Sequence, residues 1–140
     1  MKPIKKHKKR RKTSSIKSLS WWKKDTQKKF NALITSKAIC ERHGYLTGGL
    51  QCSHVFPVGT YGNLRYDIIN ALSLCGGCHR FFWHDNPGDA WEWFREKYPD
   101  RYKYLIVAKN KYKKWTIPDL QQIQEYIENR DYKKLVTFPT

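Results

Sequence analysis

All four cysteines and four of the five histidines of this 140-residue chain lie between positions 40 and 84. No other feature restricts the fold as strongly. Cys40-Glu-Arg-His43 is a C-x2-H pair, and Cys75-Gly-Gly-Cys78 is a C-x2-C pair. Two such pairs bracketing a compact segment supply the four ligands of a tetrahedral structural zinc site. The two glycines suit the tight turn that aims both sulfurs at one ion. Without a metal, the same residues read as buried thiols beside an exposed His43. Cys52 is a substitute for His43 as fourth ligand, or else a small buried hydrophobe. Six Trp, nine Tyr and six Phe give the chain a core despite a mean hydropathy of -0.82. Such a core is small, and a metal is a common staple for one.

The formal charge is +16, and it is uneven. Residues 1–24 hold eleven Lys/Arg and no acid, and Lys5, Lys6, Lys8, Lys9, Arg10, Arg11 and Lys12 concentrate it. A basic arm of this kind is the footprint of a polyanion such as DNA, through counterion release; a solvated tail is the plainer reading. The arm lacks the apolar helical face that would dock it on a membrane, and no run is long enough to cross one. No apolar stretch follows the basic start as in a secretory signal. The expectation is an intracellular protein, in which clustered cysteines favour metal over disulfides.

The chain divides into a basic arm (1–19), a helix (20–37), a zinc-bound core (38–85) and a helical extension (86–140). The expected fold class is α+β, mainly helical. Trp22, Thr26, Phe30 and Ile34 recur at helical spacing behind Ser20 as N-cap, which predicts a helix over Trp21–Lys37. Leu50–Phe56 and Asn70–Leu74 read as short strands separated by a loop at Pro57, Gly59 and Gly62, with a short helix from His79. Asn86-Pro87 starts the next helix, with Trp91, Phe94 and Tyr98 on one face, and Pro99 ends it. Further helices are expected over Arg101–Lys109 and from Pro118, the latter with Leu120, Ile123 and Ile127 on one stripe.

His54, Asn70, His79 and His84 remain once the four zinc ligands are assigned. Phosphodiester hydrolysis needs a water, a base to deprotonate it and a cation at the phosphate. An imidazole serves as base, two more could hold a second metal, and an amide could orient the base. Alone, His54 would read as structural; its neighbours suggest more.

The order Ser53-His54, Asn70, Cys75-x2-Cys78-His79 resembles the HNH (ββα-metal) endonucleases. The runs Leu50-Gln-Cys-Ser-His54, Leu64-Arg-Tyr-Asp67 and Leu74-Cys-x-x-Cys-His-Arg-Phe-Phe82 are similar to phage recombination proteins of the NinG type. The resemblance implies a ββα-metal core, His54 as general base, Asn70 as its orienting partner, and His79 with His84 as ligands of a catalytic Mg2+, Mn2+ or Zn2+. It implies Arg65 on phosphate; Arg80 and the basic arm are the other candidate DNA contacts. Ser53 stands where many HNH enzymes place a metal-binding Asp. The expected protein is a phage- or prophage-encoded DNA endonuclease in the bacterial cytoplasm, acting on branched DNA. One such site nicks one strand, so cutting both needs two sites, as in a dimer. A non-catalytic zinc module that binds nucleic acid, and an HNH partner of phage DNA packaging, are the alternatives.

Overall fold

The structure, a computed structural model, describes residues 16–139; the arm residues Lys5 to Lys12 lie outside the described residues. The first helix, α1, spans Leu19–Thr35 and buries Thr26, Phe30, Leu33 and Ile34, the spacing of one helical face. Its N-cap is Ser18 and not Ser20, because the Ser18 hydroxyl accepts the Trp21 amide at 3.1 Å.

A small hairpin follows, formed by β1 (Ile39–Cys40) and β2 (Tyr45–Leu46), which the sequence reading did not anticipate. Its turn closes through Gly44 at φ +77°, a conformation that glycine adopts without penalty. The second hairpin pairs β3 (Leu50–His54) with β4 (Ala71–Cys75), antiparallel, with His54 opposite Ala71 and Leu50 opposite Cys75. The long connection between them carries two single 3-10 turns, Gly62–Leu64 and Ile68–Asn70. After β4, residues Cys78–His84 form a π-helix. Three helices complete the chain: α2 (Pro87–Lys97), α3 (Pro99–Ala108) and α4 (Ile117–Glu128). Each starts with proline in its first turn, where the missing N–H goes unused. A capping box between Thr116 and Asp119 also fixes the start of α4.

The β3–β4 sheet is a wall between two apolar clusters. Side chains alternate across a strand, so β4 sends Leu72 and Leu74 to one face and Ala71 to the other. Leu72 and Leu74 pack with Trp83, Phe94 and Leu105, from the π-helix, α2 and α3. Ala71 packs with Phe30, Ile34, Leu120 and Ile123, from α1 and α4, closed by Trp115 and Leu135. Burial of each large apolar side chain stabilises by roughly 1.5–3 kcal/mol. The outcome is a small α+β protein, mainly helical, with two small antiparallel sheets. Among the described residues no helix is long and apolar enough to cross a membrane.

Candidate metal centre and histidine cleft

Cys40 ends β1, His43 sits in the hairpin turn, Cys75 ends β4 and Cys78 opens the π-helix. One ligand atom from each lies within 4.8 Å of the others. Nδ1 of His43 stands 3.7 Å from the Cys75 sulfur and 3.7 Å from that of Cys78. A sulfur and a nitrogen bound tetrahedrally at about 2.3 and 2.0–2.1 Å stand about 3.6 Å apart, so the donor set fits a zinc-sized ion. Among the described residues this is the only group of three or more such side chains that could hold a metal. Cys52 is outside it. It lies on β3 opposite Ser73, and burial pushes its thiol up to about 12, the state of a packing residue.

Two residues inside the C-x2-H pair build this corner. Glu41 receives the Ser73 amide on its carboxylate at 2.6 Å and donates its own amide to the Ser73 carbonyl at 2.8 Å. It also accepts the Tyr98 hydroxyl at 2.9 Å and pairs with Arg101 at 3.4 Å. Glu41 therefore fixes the small hairpin to β4 and to the following helices. Arg42 directs a guanidinium nitrogen to the Cys78 sulfur at 3.7 Å and lies over the Phe82 ring. Three thiolates with a divalent ion carry one net negative charge, which Arg42 is placed to offset. Burial raises the Cys40 thiol, but backbone N–H groups, those of Cys75 and His43 first, outweigh it and hold the thiol below its ordinary value.

A second cleft, of about 490 Å³, is lined by His54, His79, His84, Cys52, Trp83 and Trp91, among others. Its two helix-borne imidazoles face each other, with Nε2 atoms 3.0 Å apart. The π-helix explains this. Its hydrogen bonds run five residues apart, as from the Asp85 amide to the Arg80 carbonyl at 3.1 Å, so side chains at i and i+5 stack. An α-helix would splay them. His79 donates from Nδ1 to the Gln51 side-chain oxygen at 2.6 Å, which leaves the Nε2 lone pair free. Two nitrogens bound at about 2.1 Å on one ion at right angles stand about 3.0 Å apart, and a single N–H···N bond between the rings gives the same spacing. Burial, then the neighbouring His84, lowers the affinity of His79 for a proton.

His54 reaches the cleft from β3. Its ring stacks on Phe30 of α1 at 6.4 Å and 13° between planes. Its Nε2 is buried with no hydrogen-bond partner among the described residues. Burial drives its pKa down to about 4, against a backbone hydrogen bond to Arg65 that acts the other way. The ring is therefore uncharged near neutral pH.

Two expected roles need correction. Asn70 does not bond the His54 ring. Its amide is wholly buried and spans the preceding loop, accepting the Phe56 amide at 2.8 Å and donating to the carbonyls of Phe56 at 3.1 Å and Leu64 at 3.3 Å. Ser53 is not among the residues lining the cleft. It is wholly buried in the sheet, and Gln51, two residues earlier on the same strand face, is the one that reaches His79. Arg65 lies one residue beyond the first 3-10 turn, beside His54, and Arg80 is exposed on the π-helix over the Phe81 ring.

Sequence reasoning missed Gln51, Glu41 and Arg42. The first was legible as the period-two neighbour of Ser53, and the other two as the spacer of the C-x2-H pair.

These features define a small α+β protein with a Cys3His corner able to hold a metal ion and a separate histidine cleft. The chain matches the family model of the bacteriophage lambda NinG protein over residues 2–136, and it belongs to the NinG family. No match was found among curated proteins or among solved structures.

Proposed function

We propose that this protein is a metal-dependent DNA endonuclease of the HNH type, with zinc in the Cys40–His43–Cys75–Cys78 corner. One observation carries the reading: His54, whose ring has a buried Nε2 without a partner among the described residues, lines the same cleft as the paired imidazoles of His79 and His84. The β3–β4 hairpin followed by a helix agrees with a ββα-metal core. His54 is the general base. Uncharged near neutral pH, its ring would take the proton from the attacking water. The phosphate of bound DNA favours the protonated ring, raising its affinity toward the range a base needs. His79 and His84 would hold the catalytic ion, which supplies positive charge at the scissile phosphate. Gln51 fixes the His79 tautomer. Asn70 is a positioning residue, acting through the loop that places Arg65 beside His54. Membership of a phage family supports a role on phage DNA in a bacterial host, with branched recombination intermediates as substrate.

The test is cleavage of supercoiled plasmid and of junction DNA with Mg2+, Mn2+ or Zn2+. The expected result is nicking that falls at least about a hundredfold in His54→Ala, the size of a general-base contribution. Cleavage no higher than the His54→Ala background on every substrate removes the catalytic reading. A second reading, a zinc-containing module that binds DNA without cutting it, is favoured by one feature: among the described residues no carboxylate joins the two imidazoles. It predicts DNA binding with no cleavage under any of these metals.

A further inference from the structure

A third depression, of about 500 Å³, lies beyond Arg65. Six cations line it: Lys23 of α1, Arg65, and Lys109, Lys111, Lys113 and Lys114 of the segment between α3 and α4; no acid does. Only Lys113 has a carboxylate partner among the described residues, Asp119 at 3.4 Å. Tyr112 projects from the middle of this segment with 84% of its surface exposed. A large aromatic left that open gains nothing for the fold.

The segment is held in place. The Asn63 side-chain amide donates to the carbonyls of Ala108 at 3.1 Å, Lys109 at 3.2 Å and Lys111 at 2.7 Å. Trp115 anchors its far end through its indole N–H on the Gly62 carbonyl at 2.8 Å. Asn63 and Gly62 belong to the same turn that leads to Arg65, and the Arg65 backbone meets His54. The basic groove and the histidine cleft are thus two ends of one loop.

We propose that this groove carries single-stranded DNA, with a base stacked on Tyr112 and the backbone phosphates on the surrounding lysines and Arg65. Closely spaced cations neutralise a flexible backbone, and an exposed aromatic among them takes any base by stacking. A blunt duplex, whose bases are already stacked, offers Tyr112 nothing. The proposal deepens the nuclease reading by giving its substrate a single-stranded arm beside the cleavage site, and rests on that reading only for the cleavage.

The experiment measures binding of the full chain by fluorescence anisotropy across a salt series. The probes are labelled oligothymidine, a blunt duplex, and the same duplex with a thymidine tail. Tyr112→Ala should weaken binding to the single strand and the tailed duplex about tenfold, the loss of one stacked base, and leave the blunt duplex within about twofold. Lys111→Ala/Lys114→Ala should weaken single-strand binding and reduce the slope of log K against log salt by about 1.4. All three positions are surface residues, and an unchanged circular dichroism melt establishes that each variant folds. Equal losses on blunt and single-stranded DNA, no loss with either variant, or tighter binding of the matching oligouridine than of oligothymidine would overturn the proposal. A protein that binds this way without cutting keeps the groove and loses the nuclease; one that cuts while ignoring these variants does the reverse.

Discussion

His54 is a titratable ring wedged between a helix and a sheet, and its burial has a price in stability that depends on pH. The folded ring has a pKa of about 4, against about 6.5 in an unfolded chain. Above pH 6.5 both states hold the ring neutral and it contributes no pH dependence. Between about 6.5 and 4 the unfolded chain binds a proton that the folded ring refuses, so stability falls as the pH falls. The full loss is of the order of 3 kcal/mol, complete near the lower pKa. Urea unfolding of the parent and of His54→Asn at a series of pH values isolates this effect from acid protonation of the metal ligands, which both proteins share. The expected outcome is a gap between their pH profiles that opens from pH 6.5 downward. Parallel profiles would mean that the ring titrates as an exposed histidine does.

The connection between β3 and β4 shows what can and cannot be read from the chain. Asn70 was legible as a residue of interest, because an amide among the histidines can orient an imidazole. Its partners were not legible, because they are backbone groups of Phe56 and Leu64, whose proximity depends on how the loop folds back. Asn70→Ala leaves the Phe56 amide and carbonyl without partners, while the Leu64 carbonyl keeps the Asp67 amide at 3.2 Å, and should cost about 3 kcal/mol. Asn70→Asp should fare no better, since a carboxylate accepts from the Phe56 amide but cannot donate to either carbonyl. Urea midpoints, with faster hydrogen exchange at the Phe56 amide, check both. An Asp variant that restores stability would point instead to an imidazole partner. The long helices were legible from apolar spacing and from Pro87 and Pro118; Pro99, expected to end α2 with the next helix from Arg101, instead opens α3. The β1–β2 hairpin was not, since two-residue strands carry no period and their placement comes from Glu41 and the Cys40–His43 spacing. The π-helix was likewise hidden: the chain reads as a short helix with His79 and His84 roughly on one face, and it is the wider π-helical turn that makes a pair five apart coincide.

At the scale of the whole molecule the question is whether the two apolar clusters melt together. The wall between them is only two strands, and β4 serves both, with Leu72 and Leu74 on one side and Ala71 on the other. Its last residue, Cys75, is a corner of the proposed zinc site, and Cys40 and Cys78 of that site are buried within the first cluster. Removing the ion takes away the common centre of three sulfurs at the corner where β4 ends, and leaves the Glu41 contacts to Ser73, Tyr98 and Arg101 to hold it. The second cluster, built on α1 and α4, has no metal ligand of its own, yet it closes against Ala71 and loses its floor if β4 frays. Metal loss should therefore lower the stability of the entire described chain in one transition. An ion present at a thousand times its dissociation constant stabilises by about 4 kcal/mol, and for a chain of this length that corresponds to a fall in Tm of roughly 10 to 15 °C on chelation. Metal analysis of protein purified without added zinc should find about one tightly held ion per chain, apart from a weaker ion at His79 and His84 that dialysis removes. The melt should be followed with a strong chelator present, by far-ultraviolet circular dichroism for the helices and tryptophan fluorescence for the clusters. Coincident transitions, both shifted down, are expected. If chelation shifts only one signal, the α1–α4 half stands without the metal corner and the sheet is not a shared wall; if it shifts neither, the Cys3His corner is an ordinary cluster of thiols.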